Sequence, residues 1–421
     1  MKSIKMLSAS KADIFVPPSK AHTLRALILA SLCDGTSVIT NPLMGEDQKH
    51  LIICLKTLGV EVSVSDNTVT IHGTGGVFNP ASAELNCGES GVAMNFLCAL
   101  SPFASSPVYL TGKEGLLKRP VGEIVQGLRQ LGADISYKDT ESFPPLAVKP
   151  SRLRGGQTKM QGKYTSQYFS SLTIASALAQ QDVEIICTDE MSEKPYYDIT
   201  LEMMRKFGVT AQNFEYKRML ISSGQKYTPL DITIEGDYSS ASYFFEAAAV
   251  CGIEVRLHNM NEDSVQGDKK IIDYMKVMGC TVEKKDGVLT VKGGELIPLT
   301  ADCNGTPDLV PTLAVCAAFA PGKSLLQNVA HLKFKECDRI TAVCTELGKM
   351  GIKACLEGND LAVYGDKKSV HASDIHSYND HRIAMSFAVP GLILKGQTID
   401  NPGCVAKSFP NFWEVFSAFS S

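Results

Sequence analysis

The sequence lacks the features typical of disulfide-linked, metal-binding or membrane proteins. The chain has thirteen cysteines, an odd number, and no two of them form a CysXaaXaaCys pair. This pattern favours reduced thiols over a disulfide framework or a zinc site. No apolar run approaches the roughly 18 residues of a membrane helix, and no apolar signal segment begins the chain. We therefore expect a cytoplasmic protein with no membrane contact and no metal.

A strong net charge is also absent. The formal net charge is −4, which gives no general attraction for nucleic acid. Any site for an anion must therefore be built from local clusters of Lys and Arg. Hydrophobic residues make up 44% of the chain, enough for sizeable cores in two or three domains.

What the chain does contain is a repeated segment. A Gly recurs every 71 to 76 residues, at Gly59, Gly132, Gly208, Gly279 and Gly351. Each follows an apolar pair typical of a helix end and precedes the alternation of apolar and polar residues that is typical of strands. Solenoid repeats have periods of only about 20 to 50 residues, so each segment is expected to be a complete α/β unit. Gly suits the position after a helix, where positive φ is needed. Six units are predicted, the last one split, with its helix from residues 409–419 and its strands from residues 4–16.

Two extended segments, residues 16–19 and 232–237, predict crossovers between domains. One domain would hold residues 19–235, and the other would hold residues 1–18 plus 236–421, so that both termini share a domain. Two strands joining two three-unit domains predict a hinge and a cleft, which is a common location for a small-molecule site.

Cationic residues cluster near predicted helix starts. Lys20 lies in the first turn of a helix, where a cation opposes the macrodipole and does not stabilise the helix. Lys335 and Arg339 are four residues apart, so on a helix they would share a face and attract an anion. Arg382 follows a capping Asp at another helix start. Arg119 and Lys407 precede two more helices. Taken singly, each could be a solvated surface residue or part of an ordinary cap.

Two polar segments extend this pattern. Thr165, Ser166 and Gln167 precede an apolar helical run, and their hydroxyl and amide groups could reach a phosphate there. Gly88 and Gly91 flank another predicted helix start, where a ligand could approach the backbone N–H groups. Simple capping and a turn with positive φ are the structural alternatives.

These segments occur in one order along nearly the whole chain: ProSerLys and ArgAlaLeu at 18–27, LysArgPro at 118–120, ThrSerGln at 165–167, LysProTyr at 194–196, GluGlyAspTyrSerSerAlaSerTyr at 235–243, LysGluCysAspArg at 335–339, TyrAsnAspHisArg at 378–382 and AlaLysSerPhePro at 406–410. The sequence resembles the 5-enolpyruvylshikimate-3-phosphate synthase family, also called 3-phosphoshikimate 1-carboxyvinyltransferases. The resemblance implies an α/β fold of two domains, inside-out and barrel-like, with three βαβαββ units in each domain and six repeats in total.

The resemblance also implies an activity, in which the enolpyruvyl group of phosphoenolpyruvate is transferred to the 5-hydroxyl of shikimate 3-phosphate and phosphate is released. It implies a monomer that uses no cofactor. By similarity, the residues that bind phosphoenolpyruvate are Lys20, Gly91, Arg119, Gln167, Arg339, Arg382 and Lys407. Those that bind shikimate 3-phosphate are Lys20, Ala21, Arg25, Thr165, Ser166, Gln167, Tyr196, Asp308 and Lys335. The expected proton-transfer groups are Asp308 as the base and Glu336, with Lys20, as the acid.

Several positions depart from the pattern of the family, and they lie mainly on the phosphoshikimate side. They are Ala21, Glu89, Asn95, Glu193 and His331. Two alternative functions stay open at this point. The related UDP-N-acetylglucosamine enolpyruvyl transferases usually carry a Cys where this chain has Glu114. A ligand-binding relative without turnover is the other alternative.

Overall fold

The structure is a computed structural model that describes residues 1–420. The chain forms two compact units. The terminal unit comprises Met1–Ser19 and the chain from Glu235 onward, and the central unit comprises Lys20–Ile234. Within the terminal unit, the backbone N–H of Ser19 donates to the carbonyl of Glu235 at 2.7 Å. The chain therefore leaves the terminal unit and re-enters it at neighbouring points.

Helices and strands are interspersed along both units. The first segment of the terminal unit carries the strands β1 (Lys2–Ser3) and β2 (Lys11–Phe15). The central unit carries α1 (Lys20–Leu32), β3 (Asp34–Thr40), α2 (Glu46–Thr57), β4 (Glu61–Ser65), β5 (Thr68–Thr74), β6 (Glu84–Asn86), α3 (Gly91–Leu100), β7 (Val108–Thr111), α4 (Glu114–Leu117), α5 (Gly122–Gln130), β8 (Asp134–Tyr137), β9 (Leu146–Lys149), β10 (Gly156–Met160), α6 (Gln167–Ser176), β11 (Val183–Cys187), α7 (Lys194–Lys206), β12 (Gln212–Phe214), β13 (Arg218–Ile221) and β14 (Ile232–Thr233). The second segment of the terminal unit carries α8 (Tyr238–Cys251), β15 (Glu254–His258), α9 (Ile271–Val277), β16 (Thr281–Lys285), β17 (Val288–Lys292), β18 (Thr300–Asp302), α10 (Val310–Ala318), β19 (Gly322–Gln327), α11 (Arg339–Lys349), β20 (Lys353–Glu357), β21 (Asp360–Gly365), β22 (Asp374–Ile375), α12 (His381–Ala388), β23 (Thr398–Ile399) and α13 (Phe412–Phe416).

One strand pattern recurs in the sheets of both units. A parallel pair is followed by two antiparallel pairings, giving the orders β14-β3-β5-β4, β6-β7-β9-β8 and β10-β11-β13-β12 in the central unit. The terminal unit has β2-β15-β17-β16 and β18-β19-β21-β20 in the same arrangement, and a three-stranded sheet β1-β23-β22. The repeat predicted from the glycine spacing is therefore a repeat of sheet topology.

The repeated glycines have the predicted backbone conformation. Gly59, Gly132, Gly208, Gly279 and Gly351 each follow a helix, and their φ angles lie between 82° and 100°. A Cβ atom at Gly279 would also lie 2.3 Å from the carbonyl oxygen of Glu295. Both the positive φ and the close backbone contact require Gly at this point of the unit.

The split sixth unit differs in part from the prediction. The prediction that residues 4–16 supply its strands is wrong, because β2 is the strand in that range and belongs to another sheet, whereas β1 precedes residue 4. Strand β1 pairs with β23 in the three-stranded sheet, but β2 pairs in parallel with β15 in the sheet of another unit. Alternation of burial along β2 shows which of its faces is apolar but does not identify the strand it pairs with, so this pairing is fixed by the tertiary structure.

Helices occupy the interior of each unit. In α1, α6, α8, α10 and α12, nearly every residue is buried, whereas α2, α5, α7 and α11 each bury only part of their surface. A helix that is apolar all round must be enclosed by other elements. The helices buried all round thus form the cores, and the first turns of three of them, α1, α6 and α12, carry Lys20, Gln167 and Arg382. Within residues 1–420, no helix combines the length and apolarity required to cross a membrane.

Candidate active site

Arg339 is the centre of a carboxylate cluster in the terminal unit. It is the first residue of α11, and only 1% of its surface is exposed. Its Nε donates to Asp380 Oδ2 at 2.7 Å. Its Nη1 donates to Asp308 Oδ1 at 2.8 Å, and its Nη2 donates to Glu336 Oε2 at 2.8 Å. Three charge-assisted hydrogen bonds fix the plane of this guanidinium group.

Arg382 is a second buried cation on the same carboxylate. Its Nη2 donates to Asp308 Oδ2 at 2.8 Å and to Ser239 Oγ at 3.0 Å, and its Nη1 donates to the Tyr243 hydroxyl at 3.0 Å. Its backbone N–H donates to Asp380 Oδ1 at 2.9 Å, which caps α12 as the sequence predicted. These bonds join the first two turns of α8 and the first turn of α12 with the 3₁₀ turn Pro307–Leu309, which precedes α10.

Glu336 connects Arg339 to a third cation. Lys407 Nζ lies 2.8 Å from Glu336 Oε1, while the other carboxylate oxygen of Glu336 accepts from Arg339. The prediction that Lys335 and Arg339 share a helical face is wrong. Lys335 has an extended backbone, and α11 begins only at Arg339 because Asp338 caps it by accepting from Thr341 N.

The cations lower the proton affinity of Asp308. Burial acts to raise the pKa of its carboxyl. The attraction of Arg382 and Arg339, followed by that of Lys335, outweighs burial and holds this pKa well below its ordinary value. Asp308 is therefore an ionised carboxylate whose two oxygens are each bound to a different arginine.

In the central unit, Lys20 and Arg25 lie on α1. Lys20 Nζ forms an ion pair with the buried Asp47, at 2.6 Å from its Oδ2. Arg25 is buried, and its guanidinium donates to Thr200 Oγ1 at 2.7 Å, to the Tyr196 carbonyl at 2.7 Å and to the Ala21 carbonyl at 3.0 Å. Burial lowers the pKa of Arg25 to about 10, so it remains protonated at neutral pH.

Gly91 and Arg119 lie side by side in the same unit. Gly91 is the first residue of α3, which Ser90 caps by accepting from Ala93 N at 3.2 Å. A Cβ atom at Gly91 would lie 3.3 Å from Arg119 Nη1. Among the described residues, the buried Nε of Arg119 has no hydrogen-bond partner. A guanidinium donor beside the N-terminus of a helix is a suitable arrangement for a phosphate.

Residues 165–167 form the start of α6. Gln167 Oε1 accepts from Asn95 Nδ2 on α3 at 3.0 Å. Thr165 Oγ1 donates to Glu193 Oε2 at 2.7 Å, and Ser166 Oγ donates to the Glu193 carbonyl at 2.9 Å. The structure thus places Glu193, one of the positions that depart from the family pattern, directly against two predicted phosphate-binding residues.

A family model described as EPSP synthase (3-phosphoshikimate 1-carboxyvinyltransferase) matches residues 4–416. The chain belongs to this family. The 3-phosphoshikimate 1-carboxyvinyltransferase of Shewanella amazonensis is 40% identical over 424 residues, which cover 99% of each chain. That of a Sulfurovum species is 38% identical over 423 residues, which cover 100% of this chain and 99% of the relative.

A solved structure of EPSP synthase from Acinetobacter baumannii matches with a TM-score of 0.83 and 28% sequence identity, over 99% of this chain and 97% of that one. The α/β fold class predicted from the repeats and from the resemblance is confirmed by this match. The solved protein is itself named an EPSP synthase, which agrees with the family model.

The structure also describes the other residues that the sequence analysis singled out. Glu114, where the UDP-N-acetylglucosamine enolpyruvyl transferases usually have Cys, is exposed and pairs with Lys118. His331 is buried, and Glu89 carries its carboxylate close to Gly115. All thirteen cysteines are free thiols. Within residues 1–420, no group of three or more His, Cys, Asp or Glu side chains has an arrangement that could hold a metal ion.

Sequence reasoning missed two carboxylates. Asp380 was interpreted only as a helix cap, although it also holds the side chain of Arg339. Asp47 was not singled out, although it pairs with Lys20. Asp380 lies two residues before Arg382, a predicted ligand of phosphoenolpyruvate, and this position could have identified it as part of the site. Its contact with a residue 41 positions away could not be derived from spacing.

Proposed function

We propose that this protein is a 3-phosphoshikimate 1-carboxyvinyltransferase of the shikimate pathway, which leads to the aromatic amino acids. It transfers the enolpyruvyl group of phosphoenolpyruvate to the 5-hydroxyl of shikimate 3-phosphate and releases phosphate. The observation that carries the proposal is the joint binding of Asp308 by Arg339 and Arg382, in a chain that matches this family over residues 4–416. The ion pairs support the proposal because Asp308, which we assign as the base, lies beside the two arginines that we assign to a substrate carboxylate.

The charges of the substrates account for the cations. Both substrates carry a phosphate and a carboxylate, and a hydrogen bond to a charged group contributes about 1.5 to 3 kcal/mol. Arg339 and Arg382 are assigned to the carboxylate of phosphoenolpyruvate. The residues assigned to its phosphate are Lys20, Arg119, Lys407 and the backbone at Gly91. Those assigned to shikimate 3-phosphate are Arg25 at the carboxylate, Thr165, Ser166 and Lys335 at the phosphate, and Gln167 and Tyr196 nearby.

The reaction consists of an addition step and an elimination step, and protons move in both. In the addition step, the 5-hydroxyl oxygen forms a bond to C2 of phosphoenolpyruvate and loses its proton, while C3 gains a proton. In the elimination step, C3 loses a proton and the C–O bond to phosphate breaks. Asp308 is assigned as the base toward the 5-hydroxyl, and Glu336, with Lys20, as the acid at C3. Each such role typically contributes about a hundredfold to ten-thousandfold to the rate.

The low pKa of Asp308 suits a base that is activated by the substrate. When no substrate carboxylate is bound to the two arginines, Asp308 holds a proton weakly, because Arg382 and Arg339 stabilise its ionised form. A carboxylate of phosphoenolpyruvate on the same arginines would share their charge and add a negative charge nearby. Both effects raise the pKa of Asp308 and so make it a stronger base when the substrate is present.

Fixed cations and proton transfers provide all the chemistry that the proposed reaction needs, so no cofactor is assigned. We further propose that the protein acts as a monomer in the cytoplasm. Its partners would be the two small-molecule substrates alone.

A phosphate-release assay with phosphoenolpyruvate and shikimate 3-phosphate tests the proposal. We expect turnover in the unmodified protein and a loss of at least about tenfold in Asp308→Asn and in Glu336→Gln. Asp302→Asn is the matched control, because it removes a carboxylate from the exposed end of β18, six residues before Asp308.

Two results would overturn the proposal. Binding of both substrates without phosphate release would favour a ligand-binding protein, and turnover only with UDP-N-acetylglucosamine would favour the related transferase. Near-normal turnover in both Asp308→Asn and Glu336→Gln would instead refute the assignment of the base and the acid.

A further inference from the structure

One residue, Glu193, holds both hydroxyl groups that are assigned to the phosphate of the acceptor. Its carboxylate Oε2 accepts from Thr165 Oγ1 at 2.7 Å, and its carbonyl oxygen accepts from Ser166 Oγ at 2.9 Å. A hydroxyl group has a single proton to donate. In this arrangement, neither hydroxyl has a proton left for a phosphate oxygen.

The backbone explains why the carboxylate of Glu193 points toward α6. Glu193 has φ 60° and ψ 35°, a left-handed conformation that is uncommon for a residue with a side chain. It occupies the capping position of α7, yet its side chain makes no capping hydrogen bond to that helix. Only 2% of its surface is exposed. The carboxylate is therefore directed at Thr165 and not at the helix that Glu193 precedes.

The N-terminus of α6 already favours a negative charge. The backbone N–H of Gln167 lies 3.3 Å from Thr165 Oγ1, whose proton goes to Glu193. Backbone N–H groups at the start of a ten-residue helix attract anions. Glu193 thus places an internal anion one hydrogen bond away from these groups.

We propose that Glu193 competes with the phosphate of the acceptor for Thr165 and Ser166, and thereby sets the affinity of the protein for shikimate 3-phosphate. This inference rests on the proposed function, which assigns shikimate 3-phosphate as the acceptor. A phosphate oxygen that accepts from Thr165 lies within a few ångströms of the carboxylate, and like charges at that separation repel strongly in a buried site. Glu193 must therefore turn away or take up a proton before the phosphate binds.

Two substitutions separate the charge of Glu193 from its hydrogen bonds. Glu193→Gln keeps an oxygen that can accept from Thr165 but removes the negative charge. Glu193→Ser removes the charge and also the long side chain that reaches Thr165. The affinity for shikimate 3-phosphate is measured by calorimetry without phosphoenolpyruvate, and the KM for each substrate is measured by phosphate release.

We expect the Kd and the KM for shikimate 3-phosphate to fall by about tenfold or more in Glu193→Gln, because a like charge is removed from the phosphate position. A further decrease is expected in Glu193→Ser, because Thr165 is then released. Glu190→Gln is the matched control. It removes the same charge three residues earlier, from an exposed carboxylate that pairs with Lys217 and Lys194, and its constants should change by less than about twofold, since exposed charges are screened.

The outcomes separate this inference from the proposed function. If the unmodified protein turns over and Glu193→Gln leaves the affinity for shikimate 3-phosphate unchanged, only the inference fails. If Glu193→Gln weakens that affinity, Glu193 positions Thr165 for the ligand and the inference is also overturned. If the unmodified protein neither binds shikimate 3-phosphate nor releases phosphate, the proposed function itself fails. Thermal unfolding of each variant shows whether it is folded, and Glu193→Gln keeps the test valid if Glu193→Ser does not fold.

Discussion

Asp380 offers a sharp test of how the cationic cluster is held in place. Its carboxylate has no exposed surface, and it joins two predicted ligands of phosphoenolpyruvate. One oxygen accepts from the side chain of Arg339 at 2.7 Å, and the other accepts from the backbone N–H of Arg382 at 2.9 Å. We expect Asp380→Asn to weaken the first contact while keeping the cap, since Asn is also a good capping residue.

The size of the effect follows from what remains around Arg339. Asp308 and Glu336 still bind it, so the substitution leaves no uncompensated buried charge. The loss is that of a hydrogen bond between charged groups, and we expect the free energy of unfolding to fall by about 1.5 to 3 kcal/mol. Because the guanidinium of Arg339 is then less firmly oriented, the KM for phosphoenolpyruvate should rise by about tenfold or more.

Asp338→Asn provides the matched control for this prediction. Asp338 caps α11 as Asp380 caps α12, and it accepts from Thr341 N at 3.1 Å. The two variants remove the same charge and keep a capping oxygen. Urea unfolding and steady-state kinetics on both variants compare them directly. Equal losses of stability, or a KM for phosphoenolpyruvate that stays unchanged in Asp380→Asn, would refute the reasoning.

Three further predictions follow from individual residues. Glu246 is fully buried, neither of its carboxyl oxygens has a hydrogen-bond partner among the described residues, and burial, opposed by the nearby Thr312, shifts the pKa of its carboxyl. Burial raises this pKa well above its ordinary value, so the folded protein should lose stability as pH rises above about 4.5, by at most ~1.4 kcal/mol per pH unit. Glu246→Leu should therefore raise the melting temperature more at pH 8 than at pH 5, and an equal shift at both would contradict this. Gly279→Ala should lower the free energy of unfolding by more than about 1 kcal/mol in a urea titration, because the new Cβ would lie 2.3 Å from the Glu295 carbonyl oxygen, whereas Gly287→Ala meets no atom within 4 Å and tests the cost of positive φ alone. Asp47→Asn should lower kcat in the phosphate-release assay by about tenfold, because Lys20 loses its 2.6 Å ion pair, and an unchanged kcat would show that Asp47 does not position Lys20.

The sequence could predict those parts of the fold that depend on local pattern. The glycine spacing gave the period of the units, because a helix that ends before a tight turn needs positive φ at that residue. The cap at Asp380 was predictable for a similar reason, since capping depends on residues within one turn. The resemblance to the family added the assignment of the ligands, and those residue roles remain predictions.

Contacts between distant residues were decided only by the tertiary structure. Strand β2 pairs with β15, although the alternation of burial along β2 does not identify its partner strand. Asp308 lies 31 residues before Arg339 and 74 before Arg382 in the chain, yet it binds both, and Glu193 reaches back 28 residues to Thr165. Periodicity and capping act over one or two turns, whereas an ion pair depends on how whole elements pack. The sequence therefore determined the kinds of groups in the candidate site, and packing determined which carboxylate binds which cation.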